Sequence, residues 1–415
     1  MLPSRHHCVT PPSPRCRLAP HSRPLVRAAL LVAFAITAAS CGESDSEADN
    51  SSDAATAAPA TTATPTTAAP ATPATTAAPT TTPPTTTAAP STTLAVTTTT
   101  EPAPDGLRIT IPAGVPTPEA RTIDQLLAVD RPLVIAHAGG DQEHPHSTPF
   151  AYATSALAGV DMLEMDVQLT ADGVLIVHHD DTTDGTTGMN GVVRDLTYDE
   201  IAAMDNAWWY QPGCWPCRDD ADEVYTLRGV RTGDIAPPTG FGPDDFAVAT
   251  FVDIATAYPD HPLDIEIKVQ RGPDGEADPS TGIAAAAELA RLIDELDRTE
   301  SVIVTSFNDD VITAFRELAP DVATSPGLNA LTQWFLAGGE LHPSDLVLQV
   351  PPDYTGIEVM SPDLTARAHA EGRAVWVWPN GASQENPDFY AEMFDMGADG
   401  IIAGAPVAAV AALAD

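Results

Sequence analysis

Residues 107–415 of this chain read as an α/β fold, a (β/α)8 TIM barrel carrying one loop-rich insert at about 205–249. Three observations predict it. Short apolar runs of strand character alternate with helix-compatible stretches, which is the pattern of a parallel sheet. The runs allow eight principal strands, and a segment of this size suits one such barrel with no internal repeat. Finally, residues with acid/base chemistry stop several runs at their carboxyl ends, where parallel α/β folds build sites.

The elements follow in order. The apolar run 134–136 stops on His137, and 148–158 is a helix with Thr148 as its cap. The strand 160–169 carries Glu164 and Asp166 two residues apart, so both carboxylates lie on one face. Ala171-Asp172-Gly173 is a turn, and the strand 174–177 stops on His178-His179-Asp180. A short helix at 197–204 leads into the insert, which holds Trp208, Trp209, Tyr210 and Trp215 and is too long for a plain connection. Those aromatics are expected either to cover the barrel mouth, with faces suited to an apolar or cationic group, or simply to pack the insert. After a helix at 250–258, the strand 263–269 places Glu266 and Lys268 on one face. Helices at 283–296, 310–318, 331–337, 364–371, 387–396 and 406–414 then alternate with strands at 302–307, 322–325, 346–350, 374–378 and 400–403. The strand at 374–378 ends on Trp378, a candidate for substrate contact.

Upstream of the barrel the composition changes. Residues 1–41 read as a signal peptide, with Arg23 and Arg27 before an apolar run at 29–39 that is too short to span a bilayer. It ends in Ala38-Ala39-Ser40-Cys41, which resembles a bacterial lipoprotein processing box and would make Cys41 the lipidated first residue. Plain secretion with cleavage near Ser40 is the alternative. Residues 42–106 are a Thr/Ala/Pro-rich segment that cannot bury enough apolar surface to offset its ordering entropy, hence a disordered tether. The expected location is the outer face of the cell membrane, reached through the lipid anchor, or the medium.

Charge and cysteine usage narrow the partners. With 58 acidic and 19 basic residues the formal net charge is −39, which excludes a basic footprint for nucleic acid. No protein partner is evident. Of five cysteines, Cys8 and Cys16 lie upstream and Cys41 is the anchor, which leaves Cys214 and Cys217. A Cys-x-x-Cys spacing suggests redox chemistry in the cytosol. In an exported protein a local disulfide is the stronger reading, and zinc would need a second ligand pair.

The stretch from 134 to 180 concentrates the chemistry. Glu164, Asp166 and Glu266 come from two strands that read as buried, where an unpaired carboxylate is costly, so a ligand role is favoured. All-oxygen donors suit Ca2+ or Mg2+. His137 and His179 are the candidate acid/base pair, since imidazole titrates near neutral pH. Glu266 and Lys268, taken alone, could equally be an ion pair.

This stretch resembles the glycerophosphodiester phosphodiesterase family. Its signature of His-Arg-Gly, Glu-Asn-Thr, Glu-x-Asp, His-Asp and Arg-Thr-Thr has counterparts in His137-Ala138-Gly139, His146-Ser147-Thr148, Glu164-Met165-Asp166, His179-Asp180 and Gly185-Thr186-Thr187. The 263–269 strand matches the family's Glu-x-Lys. The resemblance implies metal-dependent hydrolysis of glycerophosphodiesters to glycerol 3-phosphate and an alcohol, through attack of a glycerol hydroxyl on phosphorus and a cyclic phosphate. Lys268 would then hold the phosphate. His146 stands where the family has a helix-start Glu, so His146 and Glu143 are further ligand candidates. Two other readings stay open: a surface lipoprotein that uses the barrel only to bind, and a related phosphodiesterase acting on phospholipid or a glycerol-phosphate wall polymer.

Overall fold

The computed structural model describes residues 107–413 except 215, 216 and 219. The signal peptide, the tether, Cys8, Cys16, Cys41 and Trp215 lie outside the described residues.

In chain order the elements are α1 (Ile123–Leu127), β1 (Leu133–Ala136), α2 (Pro149–Ala158), β2 (Met162–Leu169), β3 (Leu175–Val177), α3 (Tyr198–Ala202), α4 (Phe251–Ala257) and β4 (Leu263–Ile267). There follow α5 (Pro279–Glu295), β5 (Val302–Thr305), α6 (Asp309–Leu318), β6 (Ala323–Thr324), α7 (Leu328–Ala337), β7 (Val347–Val350), β8 (Asp353–Tyr354) and β9 (Ile357–Glu358). The chain closes with α8 (Pro362–Ala370), β10 (Ala374–Val377), α9 (Pro387–Asp395), β11 (Gly400–Ala403) and α10 (Pro406–Leu413).

Strands β1, β2, β4, β5, β6, β7, β10 and β11 are parallel and lie in chain order around a barrel. The seam between β6 and β7 is drawn shut where Thr324 bridges Asp345. There the Thr324 N–H donates to the Ser344 carbonyl at 2.8 Å and the Leu346 N–H to the Thr324 carbonyl at 3.0 Å. The structure is thus the expected (β/α)8 barrel.

Three local features depart from expectation. The strand before His178 is not a barrel strand, because β3 folds back antiparallel on β2 through the 171–173 turn. Helix α5 starts earlier than the apolar pattern suggests, since the Asp278 side chain caps it and Pro279 occupies its first turn. Helix α1 and the β8–β9 hairpin are too short to give a periodic signal.

Strand alternation sorts the side chains into two layers. Leu163, Met165, Val167, Leu263, Ile265 and Ile267 point outward and pack in the main core. Inside the barrel, Leu133, Ile135, Met162, Ile303, Val347, Trp376 and Ile402 form an apolar floor, sealed from below by Ile123 and Leu126 of α1. Gly400 makes room for it, since a Cβ there would stand 2.9 Å from both Ile135 and Trp376. Above the floor the inward positions turn polar, and that transition places the site.

Candidate active site

The first strand delivers its histidine through a strained turn. Ala136 ends β1, and His137–Gly139 forms a 3-10 turn with Ala138 at φ 45°. Ser147, near the other end of the loop, has φ 56°. Left-handed backbone at two non-glycine residues costs on the order of 1–3 kcal/mol each, so the surroundings must hold it. They do so with buried hydrogen bonds: the Ser147 N–H donates to the Ala138 carbonyl at 2.7 Å, and the Ala138 N–H donates to Glu164 Oε2 at 2.5 Å. The strain therefore couples the His137 turn directly to the β2 carboxylates.

Register brings four carboxylates together. Glu164 pairs with Asp264 and Asp166 with Glu266 across β2 and β4. Burial, reinforced by the charge of Asp166, pushes the Glu164 carboxyl well above its ordinary range. Burial, with Glu266 and Asp166 adding, pushes Asp264 up to about 7, although Gln349 of β7 donates to its Oδ1 at 2.8 Å. For Asp166 burial acts in the same sense, but Lys268, His179, His137 and His146 outweigh it, and this carboxyl is lowered. Asp166 is the group on which both candidate acid/base histidines act. Lys268 Nζ lies 3.0 Å from Glu266 Oε1 and 3.4 Å from Asp166 Oδ1, so the ammonium bridges the two strands.

The histidines differ in surroundings. Burial works against the His137 cation, yet Asp141, Glu164 and Asp166 prevail and raise its pKa well above the ordinary value. Its Nδ1 lies 3.5 Å from Asp141 Oδ1. Asp141 can approach because residue 404 is glycine: a Cβ there would stand 2.2 Å from Asp141 Oδ1. His179 Nδ1 is 2.8 Å from Asp180 Oδ1. Despite burial, Asp180 is held below the carboxylate range by that bond and by the charges of His179, His178 and His146. An ionised carboxylate only accepts, so His179 Nδ1 carries the proton and Nε2 keeps its lone pair when the ring is neutral. His146 is buried, with Nδ1 3.1 Å from Ser147 Oγ, and burial pushes it down to about 3. His178 is turned into its own loop, 3.1 Å from the Thr182 carbonyl.

Other expected site residues are placed elsewhere. The Glu143 carboxylate accepts from the Val407 and Ala408 N–H groups at 2.7 and 3.0 Å, capping α10. Burial and those two amides are what act on it, so Glu143 is a helix cap and not a member of the acidic cluster. Trp378 packs edge-on against Phe307 at 6.2 Å. Of the insert aromatics, Trp208 and Trp209, with Tyr225, clasp the Arg228 guanidinium at 4.9, 4.7 and 4.1 Å. The Trp209 indole N–H donates to the Thr187 carbonyl at 2.8 Å, and the Tyr210 hydroxyl donates to the Glu143 carbonyl. Trp208 and Trp209 thus pack within the insert, and Trp209 and Tyr210 also line a small pocket with His146. Cys214 and Cys217 are joined, with Cα atoms 5.8 Å apart.

Three residues escaped the sequence reading. Asp264 lies two before Glu266, so the same alternation marks it as inward-facing. Gln168 lies two after Asp166; its amide donates to the His178 and Asp180 carbonyls at 2.8 and 2.7 Å and accepts from Gln270 at 2.8 Å. Gln168 thus fixes the loop that carries His179. Asp141 had no local signal, because its partner is set by the turn at Ala138.

The inward carboxylates are hard donors of the kind a divalent cation takes. Glu164, Asp166 and Glu266 supply only oxygen, and Asp166 Oδ2 is buried without a hydrogen-bond partner. Among the described residues, however, no group of three or more His, Cys, Asp or Glu side chains is arranged so that it could hold a metal ion as it stands. The Lys268 ammonium supplies the positive charge between Asp166 and Glu266.

Fold and site together define a (β/α)8-barrel protein with a histidine–carboxylate centre at the C-terminal face of its strands. Residues 137–407 match the family model described as the Glycerophosphoryl diester phosphodiesterase family. The chain belongs to that family. It is 28% identical over 206 residues to a glycerophosphodiester phosphodiesterase of Bacillus subtilis, covering 49% of this chain and 62% of that relative. The chain thus spans less than two thirds of that relative's length. A putative glycerophosphoryl diester phosphodiesterase from Silicibacter pomeroyi has the same fold, with TM-score 0.52 and 23% identity over 71% of this chain and 98% of that one. So does a phosphodiesterase from Oleispira antarctica in complex with the product sn-glycerol-3-phosphate, with TM-score 0.50 and 15% identity over 69% of this chain and 98% of that one.

Proposed function

We propose that the protein hydrolyses glycerophosphodiesters to glycerol 3-phosphate and an alcohol, with a divalent cation and two histidines. The observation that carries this is the buried Asp166 carboxylate, which stands opposite Glu266 in register and 3.4 Å from Lys268 Nζ and keeps one buried oxygen unsatisfied at the barrel mouth. Glu164, Asp166 and Glu266 would hold Ca2+ or Mg2+, which when bound would polarise a phosphoryl oxygen and orient the diester.

The residues divide the proton work. His179, with Nδ1–H directed to Asp180, offers Nε2 as the base that takes the proton from the attacking glycerol hydroxyl. His137, with Nδ1 3.5 Å from Asp141 Oδ1, is the acid that gives a proton to the leaving alkoxide. In the second half the roles reverse as water opens the cyclic phosphate. Lys268 sits where it can pair with a phosphate oxygen once a cation takes over its carboxylates.

A second reading rests on that same lysine. Because Lys268 already pairs with Asp166 and Glu266 and offsets one of their two charges, the barrel could bind a ligand without turning it over. Product analysis decides between the two: purified protein is incubated with a panel of glycerophosphodiesters, intact phospholipid and a glycerol-phosphate polymer, each with Ca2+, Mg2+ or chelator. Release of glycerol 3-phosphate only with metal supports hydrolysis and shows which alcohol is preferred. Metal binding without product from any substrate supports the binding module, and full activity in chelator removes the cation from the proposal. We also propose export with lipidation at Cys41, tested by mass spectrometry of the mature N-terminus; a mature chain that starts elsewhere and is unlipidated excludes it.

A further inference from the structure

The insert touches both loops that frame the site. On one side the Gly213 N–H donates to the Gln142 carbonyl at 2.7 Å, in the loop that follows His137. On the other, Arg218 Nη1 donates to Asp184 Oδ2 at 3.0 Å, in the loop that follows His179. Between these anchors Cys214 is joined to Cys217, and the Cys217 carbonyl accepts from the Tyr225 hydroxyl at 2.5 Å. Tyr225 is itself buried. Arg218 therefore follows directly on a cross-link and a buried anchor, which limits where its backbone can go.

Besides Asp184, the guanidinium comes near the Asp180 carboxylate. A Cβ at Gly185 would stand 2.3 Å from Asp180 Oδ2 and 3.7 Å from Arg218 Nη2. The absent side chain at Gly185 thus makes room for the Asp180 carboxylate, with the Arg218 guanidinium at the edge of the same position. The Arg218 side chain is 39% exposed, so an incoming ligand can reach it. A half-exposed Arg–Asp pair adds little to stability, which makes a purely structural purpose for this placement weak. An anion approaching a mouth lined by Glu164, Asp166, Asp264 and Glu266, on a chain of net charge −39, meets repulsion that a second basic side chain besides Lys268 would reduce. A planar guanidinium is the side chain best matched to two phosphate oxygens.

We propose that Arg218 is a further substrate-binding residue of this site, contacting the anionic phosphate of the diester from the Asp180 side of the mouth. The proposal rests on the phosphodiesterase reading above. The test compares wild type, Arg218→Ala, Arg218→Lys and the Cys214→Ser/Cys217→Ser double variant by steady-state kinetics on a glycerophosphodiester and by thermal denaturation. Arg218→Ala should raise KM about 10- to 100-fold, the value of one charge-assisted contact, with little change in kcat or Tm. Arg218→Lys should fall between, keeping charge but not the fork. The cysteine variant should raise KM in the same direction by a smaller factor. An unchanged KM in Arg218→Ala, or a loss confined to kcat and matched by a lower Tm, overturns the proposal. If the wild type turns over no glycerophosphodiester, titration calorimetry with inorganic phosphate still decides. Weaker binding by Arg218→Ala than by wild type supports the contact, and equal binding, including none by either, overturns it.

Discussion

The floor and the mouth of this barrel are built by the same strands and the same alternation, yet they are opposite in kind. On β2, Met162 belongs to the floor and Glu164 and Asp166 to the mouth, within five residues. The floor contains Leu133, Ile135, Met162, Ile303, Val347, Trp376 and Ile402, each a source of about 1.5–3 kcal/mol on burial. The mouth holds Glu164 and Asp264, both raised by burial among like charges, and two left-handed non-glycine residues, Ala138 and Ser147. Groups placed that way cost stability. The lesson is a division of labour: the floor and outer core supply stability that allows the mouth to keep ionisable groups in strained and repulsive positions.

That contrast predicts how substitutions fail. The largest effect belongs to the mouth. His137→Ala and His179→Ala should each reduce turnover per folded molecule by a factor on the order of 10² to 10⁴, read by steady-state kinetics with the folded fraction taken from thermal denaturation. Full turnover in both would show that the mouth is not the reactive region.

Next comes the floor. Trp376 is fully buried there, and Trp376→Ala should cost about 3–5 kcal/mol in urea denaturation, while turnover per folded molecule stays close to wild type. A large loss of turnover at full stability would erase the distinction between the layers.

The histidines extend the comparison to pH. His261, outside the mouth and packed edge-on against Tyr258 at 5.7 Å, is pushed down to about 4 by burial. The unfolded chain takes up this proton near pH 6.5, before the folded one does. Its contribution is therefore complete above pH 6.5 and is lost as pH falls toward 4, by on the order of 3 kcal/mol. His261→Gln should flatten the acid side of the stability profile measured by urea midpoints at pH 7, 5 and 4; an unchanged profile would remove His261 from this account. His137 has the reverse sign: its pKa is raised, so its contribution is present at low pH and fades as pH rises through that higher value.

The smallest effect belongs to Glu143, which differs in use from the carboxylates of β2. Glu143→Ala removes the α10 cap and should cost about 1 kcal/mol while leaving metal affinity alone. Glu164→Ala or Asp166→Ala should lower metal affinity and activity together, by calorimetry and kinetics. Loss of metal affinity in Glu143→Ala would return that residue to the ligand set.

Much of this molecule is written locally in its sequence. Apolar runs bounded by caps and turns determine the barrel strands and most helices, because strand and helix periods act over a few residues. The same period of two marks Glu164 with Asp166 and Glu266 with Lys268 as sharing an inward face, and it would have marked Asp264 and Gln168 had it been carried one step further along each strand. What sequence could not decide is which of these charges meet. The partner of Lys268 on β2, the turn that brings Asp141 to His137, the capture of Glu143 by an amide end 264 residues away and the clasp of Arg228 by the insert aromatics all depend on contacts between distant segments. Such contacts follow from how the strands close around the barrel and how its loops cross the mouth, and only the folded chain brings those segments together.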